Sequence, residues 1–499
     1  MLLTLFLTLT WPPLLLGLCA VLLSLYYLFL QPPTHPRNIP HLPFWVTLLP
    51  LFHDVDQQVT FQKYIRAPLE KHGAIKIFFG GQWNVIIQRS TYLTEVFRNE
   101  RVFQKMGNQK KIPHSVLADF LGDNIISSRG DDWLLYRRLI KPGLSSQFNP
   151  IPICENATNL CGIFLQAQGR AGGQGVTVQG ILQRYSSANL LQGVLGVPEL
   201  GAQMMAMEDA VPLYSIQMDL KKYLFHPIFM SFPVLDYWLG SLIPSRVKAR
   251  QLVQEFSGEL QTQVLQGQAD SVARSLVQAK RDGLLTAKQF RDNLNVLYVA
   301  GQENPQLLLI SSLYLLGKYP QVQARLRDEI RKLPIDDLHQ GPWDTLPYLT
   351  ATILECLRLF PPIGQLINRR VSSSVLLGDG HIHLPPGTYV GYNSYGTNRD
   401  PAAWGPTADE FLPERWGSSH EEIAHRYQRA KAQAEFISFH GGLRACLGER
   451  FALLEMHISL FILVQRLTWV LDPQWPDRMT PAGPLHPRGL RLVFSALEA

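Results

Sequence analysis

Apolar residues follow three patterns along the chain. Over residues 2–30 they run almost unbroken, interrupted by Trp11-Pro12-Pro13, and no Asp, Glu, Lys or Arg occurs before Arg37. Prolines are tolerated in a first helical turn, so this pattern predicts a helix from the prolines to Leu30. Its length of ~28 Å is close to the ~30 Å hydrocarbon core of a bilayer. Two later runs, 291–316 and 447–463, are long, mostly apolar and of helical period. Pro305 lies near the middle of the first and predicts a kink, because it removes one N–H and clashes with the preceding turn. Short runs at 75–79, 85–88 and 388–391 read as strands. The fold class expected is mainly α with a small β subdomain.

The N-terminal run divides the chain into an anchor (1–30), a proline-rich hinge (31–43) and one large domain (44–499), since neither a later linker nor an internal repeat is visible. A cleaved signal peptide would have a basic start, a shorter apolar run and a small-residue cleavage site, and a mitochondrial presequence would be rich in Arg. A single-pass anchor fits better. Tyr26 and Tyr27 suit a membrane interface, and Arg37 beyond the span places the large domain in the cytosol. Pro32-Pro-Thr-His-Pro-Arg-Asn-Ile-Pro40 reads as a stiff spacer.

The charge balance is modest, +6 with no long basic run, which argues against nucleic acid as the main partner. Five cysteines, at 19, 154, 161, 356 and 446, are too scattered for a disulfide framework and form no Cys-x-x-Cys pair, so a reducing compartment is expected. The sequon Asn156-Ala-Thr158 would stay unmodified there.

One cysteine stands apart. In Phe439-His-Gly-Gly-Leu-Arg-Ala-Cys-Leu-Gly448, glycines allow the backbone to pass close to a large flat ligand. Phe439 can shield the sulfur, and Arg444 can pair with an acidic ligand edge. Cys446 leads into the 447–463 helix, whose free N–H groups favour a thiolate, the form that binds iron. This segment resembles the Phe-x-x-Gly-x-Arg-x-Cys-x-Gly signature of the cytochrome P-450 haem-thiolate monooxygenases. Trp133-Leu-Leu-Tyr-Arg137, Glu355-Cys-Leu-Arg358 and Pro413-Glu-Arg-Trp416 resemble further motifs of that family, in its order.

The resemblance covers the chain after about residue 40 and implies a P-450 fold holding haem b, with an axial thiolate from Cys446. It also implies propionate contacts from Trp133, Arg137, Arg444 and one of Arg369 or Arg370, and places Ala300, Phe439, Gly442 and Gly448 against the cofactor. The choice between the two arginines stays open, because the distance from Pro361-Pro362 is one residue longer than usual. Glu355, Arg358 and Arg415 are expected as a structural triad. No Gly-rich nucleotide loop appears, so electrons are expected from an NADPH–P-450 reductase docking on basic residues such as Arg138, Lys141, His425, Arg426, Arg429 and Lys431. The family's endoplasmic-reticulum members carry a comparable anchor in membrane lipid.

The segment Ala300-Gly301-Gln302-Glu303-Asn304 resembles the family's oxygen-side motif, with Gly301 leaving room for a diatomic molecule and Glu303 as the acidic group. Asn304 stands where threonine is usual. An amide relays protons poorly, so three options stand: Asn304 holds a water, the substrate supplies the group, or no oxygen is inserted. Gly301-Gln-Glu-Asn-Pro-Gln306, with His440 in place of the usual Gly, is similar to fungal P-450 enzymes that couple N-formyltyrosine into bisformyl dityrosine for the ascospore wall. The function expected is therefore oxidation of a small aromatic substrate by phenol coupling. The alternatives are hydroxylation of a lipid-like or secondary-metabolite substrate, and haem-based sensing without turnover. Phe103, His114, Phe120, Tyr214, Gln365 and Asn368 are candidate substrate contacts.

Overall fold

The computed structural model describes residues 16–497 apart from 18, 21, 22, 25, 208–210, 268–270 and 333–344. Ten short strands are described: β1 (Ala74–Phe79), β2 (Gln82–Ile87), β3 (Phe103–Lys105), β4 (Val176–Thr177), β5 (Gln365–Val371), β6 (Val375–Leu377), β7 (Ile382–Leu384), β8 (Tyr389–Asn393), β9 (Leu467–Leu471) and β10 (Arg491–Ala496). They form a mixed sheet of order β1-β2-β8-β5-β3, an antiparallel sheet β4-β10-β9 and the pair β6-β7. Everything else of size is helical. The helices that frame the site are α1 (Gly130–Ser145), α2 (Ile151–Arg170), α3 (Gln179–Leu190), α4 (Pro212–Leu224), α5 (Ala287–Lys318), α6 (Pro347–Leu359) and α7 (Glu449–Arg466).

Helix α5 is the spine of the molecule. Thr286 starts it with a capping box: its hydroxyl accepts from the N–H of Gln289, and Gln289 Oε1 accepts from the N–H of Thr286. The helix continues through Pro305 without a break. Several of its buried polar residues hold a neighbour. Asp292 Oδ2, Asn293 Oδ1 and Asn295 Nδ2 bond the backbone of Asp123, Ile125 and Phe120 at 2.9, 2.9 and 3.0 Å, fixing the loop after the helix Val116–Leu121. Further along, a buried ladder of amides joins α3, α4 and α5. Gln183 donates to Gln217 at 3.1 Å, Gln217 to Gln302 at 3.0 Å, and Gln302 to Gln306 at 2.8 Å. Gln306 closes the ladder on the carbonyl of Gln179. Amides that carry both donor and acceptor can be buried in such a chain without leaving an orphan.

The hinge is not a free spacer. Lys76 Nζ donates to the carbonyls of Pro33 and Pro36, the backbone of Lys76 bonds Pro40 and Leu42, and Ile39 and Leu42 are buried. Among the described residues no helix is long and apolar enough to cross a membrane. Residues 1–15, 18, 21, 22 and 25 of the expected anchor lie outside them, and its described end is the π-helical turn Tyr26–Leu30, with both tyrosines exposed. Asn156 of the sequon is buried inside α2, bonded to Asn189 and Gln192, so it is inaccessible to modification.

Glu455 of α7 is fully buried, with Oε1 accepting from Asn189 and Oε2 without a partner. Burial pushes its pKa from 4.5 up to about 8, against the hydrogen bonds of Asn189 and Ser186. The folded protein thus holds this proton more tightly than the unfolded chain, and stability falls as pH rises from 4.5 to about 8, by at most ~1.4 kcal/mol per pH unit. Glu455→Gln should flatten the dependence of thermal unfolding on pH across that window. A slope equal to that of the unmodified protein would show that Glu455 is ionised when folded.

Candidate haem-thiolate site

A cavity of about 390 Å³ lies between α5 and the segment preceding α7. Ile140, Leu144, Leu190, Leu357, Phe439 and Phe451 give it an apolar lining, and Cys446 faces it from the segment that leads into α7. That segment is folded by its own backbone. Cys446 N–H donates to Phe439 O at 3.0 Å, His440 N–H to Ile437 O at 2.8 Å, and Ala445 N–H to Gly442 O at 3.2 Å. Gly442 has φ 64°, and a Cβ there would stand 2.4 Å from the carbonyl oxygen of Phe97. Its lack of a side chain serves that packing; Gly442 does not reach the cavity.

His440 also has a left-handed φ of 62°, a conformation that costs a non-glycine residue energy and accounts for the usual glycine. Its Nδ1 meets the hydroxyl of Tyr392 at 2.9 Å, and burial holds its pKa down to about 3. Helix α7 begins at Glu449, three residues past Cys446, with Gly448 as N-cap. The N–H groups of Gly448 and Glu449 point to the sulfur and lower its pKa, but desolvation outweighs them and pushes the thiol up to about 11. The Cys446 side chain is exposed, and its free surface opens on the cavity inside the protein.

The wall opposite is α5, which presents Val296, Ala300, Gly301, Asn304, Pro305 and Leu308, none of them ionisable. A Cβ on Gly301 would stand 2.5 Å from Leu190, so this glycine lets α3 pack close as well as opening the cavity. Glu303 departs from expectation. It points to the far side of α5, into a small cleft against α4, and pairs with Lys221 at 3.2 Å. Asn304 faces the cavity and donates to the carbonyl of Ala300 at 3.2 Å.

Cations gather at one end. Arg444 is buried over the Trp133 ring at 4.5 Å, bonds Ser128 O at 2.8 Å and pairs with Glu100 at 2.9 Å. Arg137 lies 5.3 Å from the same ring and donates to Leu443 O at 3.4 Å. Arg370 is exposed, bonded to Gly387 O, and does not approach the cavity. Arg369 is buried but turned to Glu100 and to Phe103 O, both at 2.7 Å, and does not line the cavity either. A β-bulge between Ile367 and Arg369 absorbs the extra residue after Pro362. Lys105, Glu100 and Tyr392 carried no signal in the sequence, because contacts such as Glu100 to Arg444 span hundreds of residues.

Of the substrate candidates, Asn368 lines the cavity. Phe103 is core, Phe120 borders the small cleft, His114 packs on Tyr237, Tyr214 on Arg184, and Gln365 accepts from Asn393.

The family model described as Cytochrome P450 matches residues 39–493. The chain belongs to the cytochrome P450 family. It is 41% identical to Cytochrome P450-DIT2 of Saccharomyces cerevisiae over 96% of this chain and 98% of that one. It is 39% identical to Cytochrome P450 monooxygenase xanG of Aspergillus fumigatus, covering 91% and 86% of the two chains. Cytochrome P450 72A552 of Barbarea vulgaris is more distant, at 24% over 80% and 78%. This cytochrome P450 is therefore a monooxygenase-family enzyme that uses haem with a cysteine thiolate as axial ligand, and the family generally takes its electrons from NADPH–P-450 reductase. The cavity fits that group: a sulfur with free surface on one side, small residues of α5 opposite, apolar sides and a cationic end for an acidic edge.

Beneath the cavity this P450 buries a charge network. Arg358 donates through Nε and Nη2 to both oxygens of Glu355 at 2.8 Å, and Arg415 Nε and Trp416 Nε1 add bonds at 3.3 and 3.0 Å. Arg358 also caps the carbonyls of Asn398, Ala408 and Glu410, so the network joins α6 to the chain that leads toward Cys446. Arg358→Ala would leave a buried carboxylate short of its main partner, at a cost of ~3–5 kcal/mol. The variant should unfold at markedly lower denaturant and carry less haem per chain. Wild-type values of both would contradict a structural role.

Proposed function

We propose that this cytochrome P450 couples two molecules of N-formyltyrosine, ring carbon to ring carbon, into bisformyl dityrosine for spore-wall maturation. The observation that carries the reading is the α5 wall: Glu303 is turned to Lys221 and Asn304 offers only an amide. Both reactions take up two protons as dioxygen is reduced, which water can carry to this wall; coupling asks nothing further of it, because each phenol gives up a hydrogen atom and no oxygen is handed to carbon. Bound haem supplies the oxidising equivalents from dioxygen and reductase electrons.

Each of the two phenols loses the hydrogen atom of its O–H bond, a C–C bond forms between the rings, and each ring regains aromaticity by moving its ring hydrogen to oxygen. The two hydrogen atoms, with two reductase electrons and two protons, convert dioxygen to two waters. The protein's task is to hold both phenols in the apolar cavity and exclude bulk water. Trp133, Arg137 and Arg444, gathered at one end of the cavity, would hold the acidic edge of the bound cofactor. The reductase docks near the exposed His425, Arg426 and Arg429 of the helix His420–Ala432 and near Arg138 and Lys141. Lys431 contributes less, being tied to Glu449. The charge-free apolar segment 2–30 supports attachment to the endoplasmic-reticulum membrane with the catalytic domain in the cytosol.

A second reading is insertion of oxygen into an apolar secondary metabolite, favoured by the nearly equal identity to a chain named as a monooxygenase. Incubation with N-formyltyrosine, reductase and NADPH separates the two. Coupling gives a fluorescent dimer; hydroxylated monomer alone would refute it. Asn304→Thr should change coupling far less than the ~10²–10⁴-fold that a positioned proton donor contributes.

A further inference from the structure

Three oxidisable rings follow one another behind the Cys446 segment, and none of them lines the cavity. Tyr427, on the helix His420–Ala432, is buried and lies within electrostatic range of Cys446. Its hydroxyl donates to the Glu449 carboxylate at 2.7 Å, and the N–H of that same residue points to the sulfur. Phenol and thiol thus meet on one residue. The Tyr427 ring stands 6.3 Å from that of Trp416, which stands 5.3 Å from that of Trp404. Both indoles are buried and have their N–H groups bonded, Trp416 to Glu355 and Trp404 to Glu435 O. Trp404 is two residues from Ala402 and from Pro406, both exposed.

Packing alone would be met by a phenylalanine at 427. Lys431 already answers the Glu449 charge, at 2.6 Å from both oxygens, so the Tyr427 hydroxyl is not needed there. Burial and the Glu449 charge push the pKa of the phenol up, so it keeps its proton at rest. A tyrosine that loses an electron sheds that proton, and Glu449 is the acceptor in contact. Bound haem supplies oxidising equivalents, and without a substrate in the cavity they turn on the cofactor and its surroundings. We propose that Tyr427 discharges such unused equivalents on the Cys446 side, with Trp416 and Trp404 as the path by which it is refilled. Tyr427 gives one electron to the oxidised cofactor and its phenolic proton to Glu449, leaving a neutral tyrosyl radical. Trp416 re-reduces Tyr427, Trp404 re-reduces Trp416, a thiol in solution re-reduces Trp404, and Glu449 returns the proton to the phenol. Two passages deliver two electrons and turn two thiols into one disulfide. The two thiol protons leave, with the oxygen atom left over from dioxygen, as water. The relay is independent of which substrate is oxidised.

The test uses ferric holoprotein without substrate, mixed with hydrogen peroxide, which supplies the same two oxidising equivalents. Rapidly frozen samples are read by electron paramagnetic resonance, and haem absorbance is followed in parallel. The unmodified protein should show a tyrosyl radical. Tyr427→Phe, which keeps the ring, should lose that signal and bleach its haem faster, while its reduced carbon monoxide band stays that of a thiolate-ligated haem. Glu449→Gln, which keeps the phenol but removes the proton acceptor, should weaken the signal. Added glutathione should shorten the life of the radical, and less so in Trp404→Phe. No tyrosyl signal in the unmodified protein, an undiminished signal in Tyr427→Phe, or bleaching of that variant at the wild-type rate would each overturn the inference. Equal action of glutathione on Trp404→Phe would overturn the tryptophan path. If Tyr427→Phe does not fold, Tyr427 carrying a ring fluorine decides: the fluorine should split the signal, and an unsplit signal would place the radical elsewhere and overturn the inference.

Discussion

A thiol buried in protein resists ionisation, and the structure is organised around one that must ionise. Cys446 opens on the internal cavity, and desolvation by the surrounding protein pushes its pKa up to about 11 although two N–H groups face the sulfur. Those donors are insufficient by themselves. A metal cation deprotonates a coordinating thiol outright, and in this family the haem iron is that partner. The backbone bonds of 437–446 and the free volume beside the sulfur serve that single contact.

The remaining framework keeps two walls at a fixed separation. The Glu355 network ties α6 to the segments on the cysteine side, and the Asp292, Asn293 and Asn295 side chains tie the 120–125 loop to α5. The amide ladder through Gln302 and Gln306 fixes α3 and α4 to the same helix. Polar groups thus set the geometry from the back of each wall, while the faces toward the cavity stay apolar. That division suits a reaction in which the cofactor performs the chemistry and the protein orients and shields.

Local signals were readable in the sequence and long-range ones were not. The Cys446 segment, the long α5 helix and the three strand segments stand out because each is a short-range pattern of apolar period and turn residues. The Glu355 triad was legible through its motifs. By contrast, the facing of Glu303 depends on where α4 lies, and the turning of both Arg369 and Arg370 away from the cavity depends on partners far along the chain and on the bulge between β5 and β8. Glutamines 302 and 306 stood in the sequence only as part of the Gly301–Gln306 segment. Their partners on α3 and α4 make them structural. Nothing in Phe439–Cys446 itself revealed that His440 is held by Tyr392, 48 residues earlier in the chain.

The bond between the Cys446 sulfur and iron is tested most directly by the absorption spectrum of the reduced, carbon-monoxide-treated holoprotein beside its Cys446→Ser variant. The unmodified protein should show the strongly red-shifted band of a thiolate-ligated haem, and the variant should lose it while remaining folded. An identical band in the variant, or a folded protein that takes up no haemin, would contradict the account.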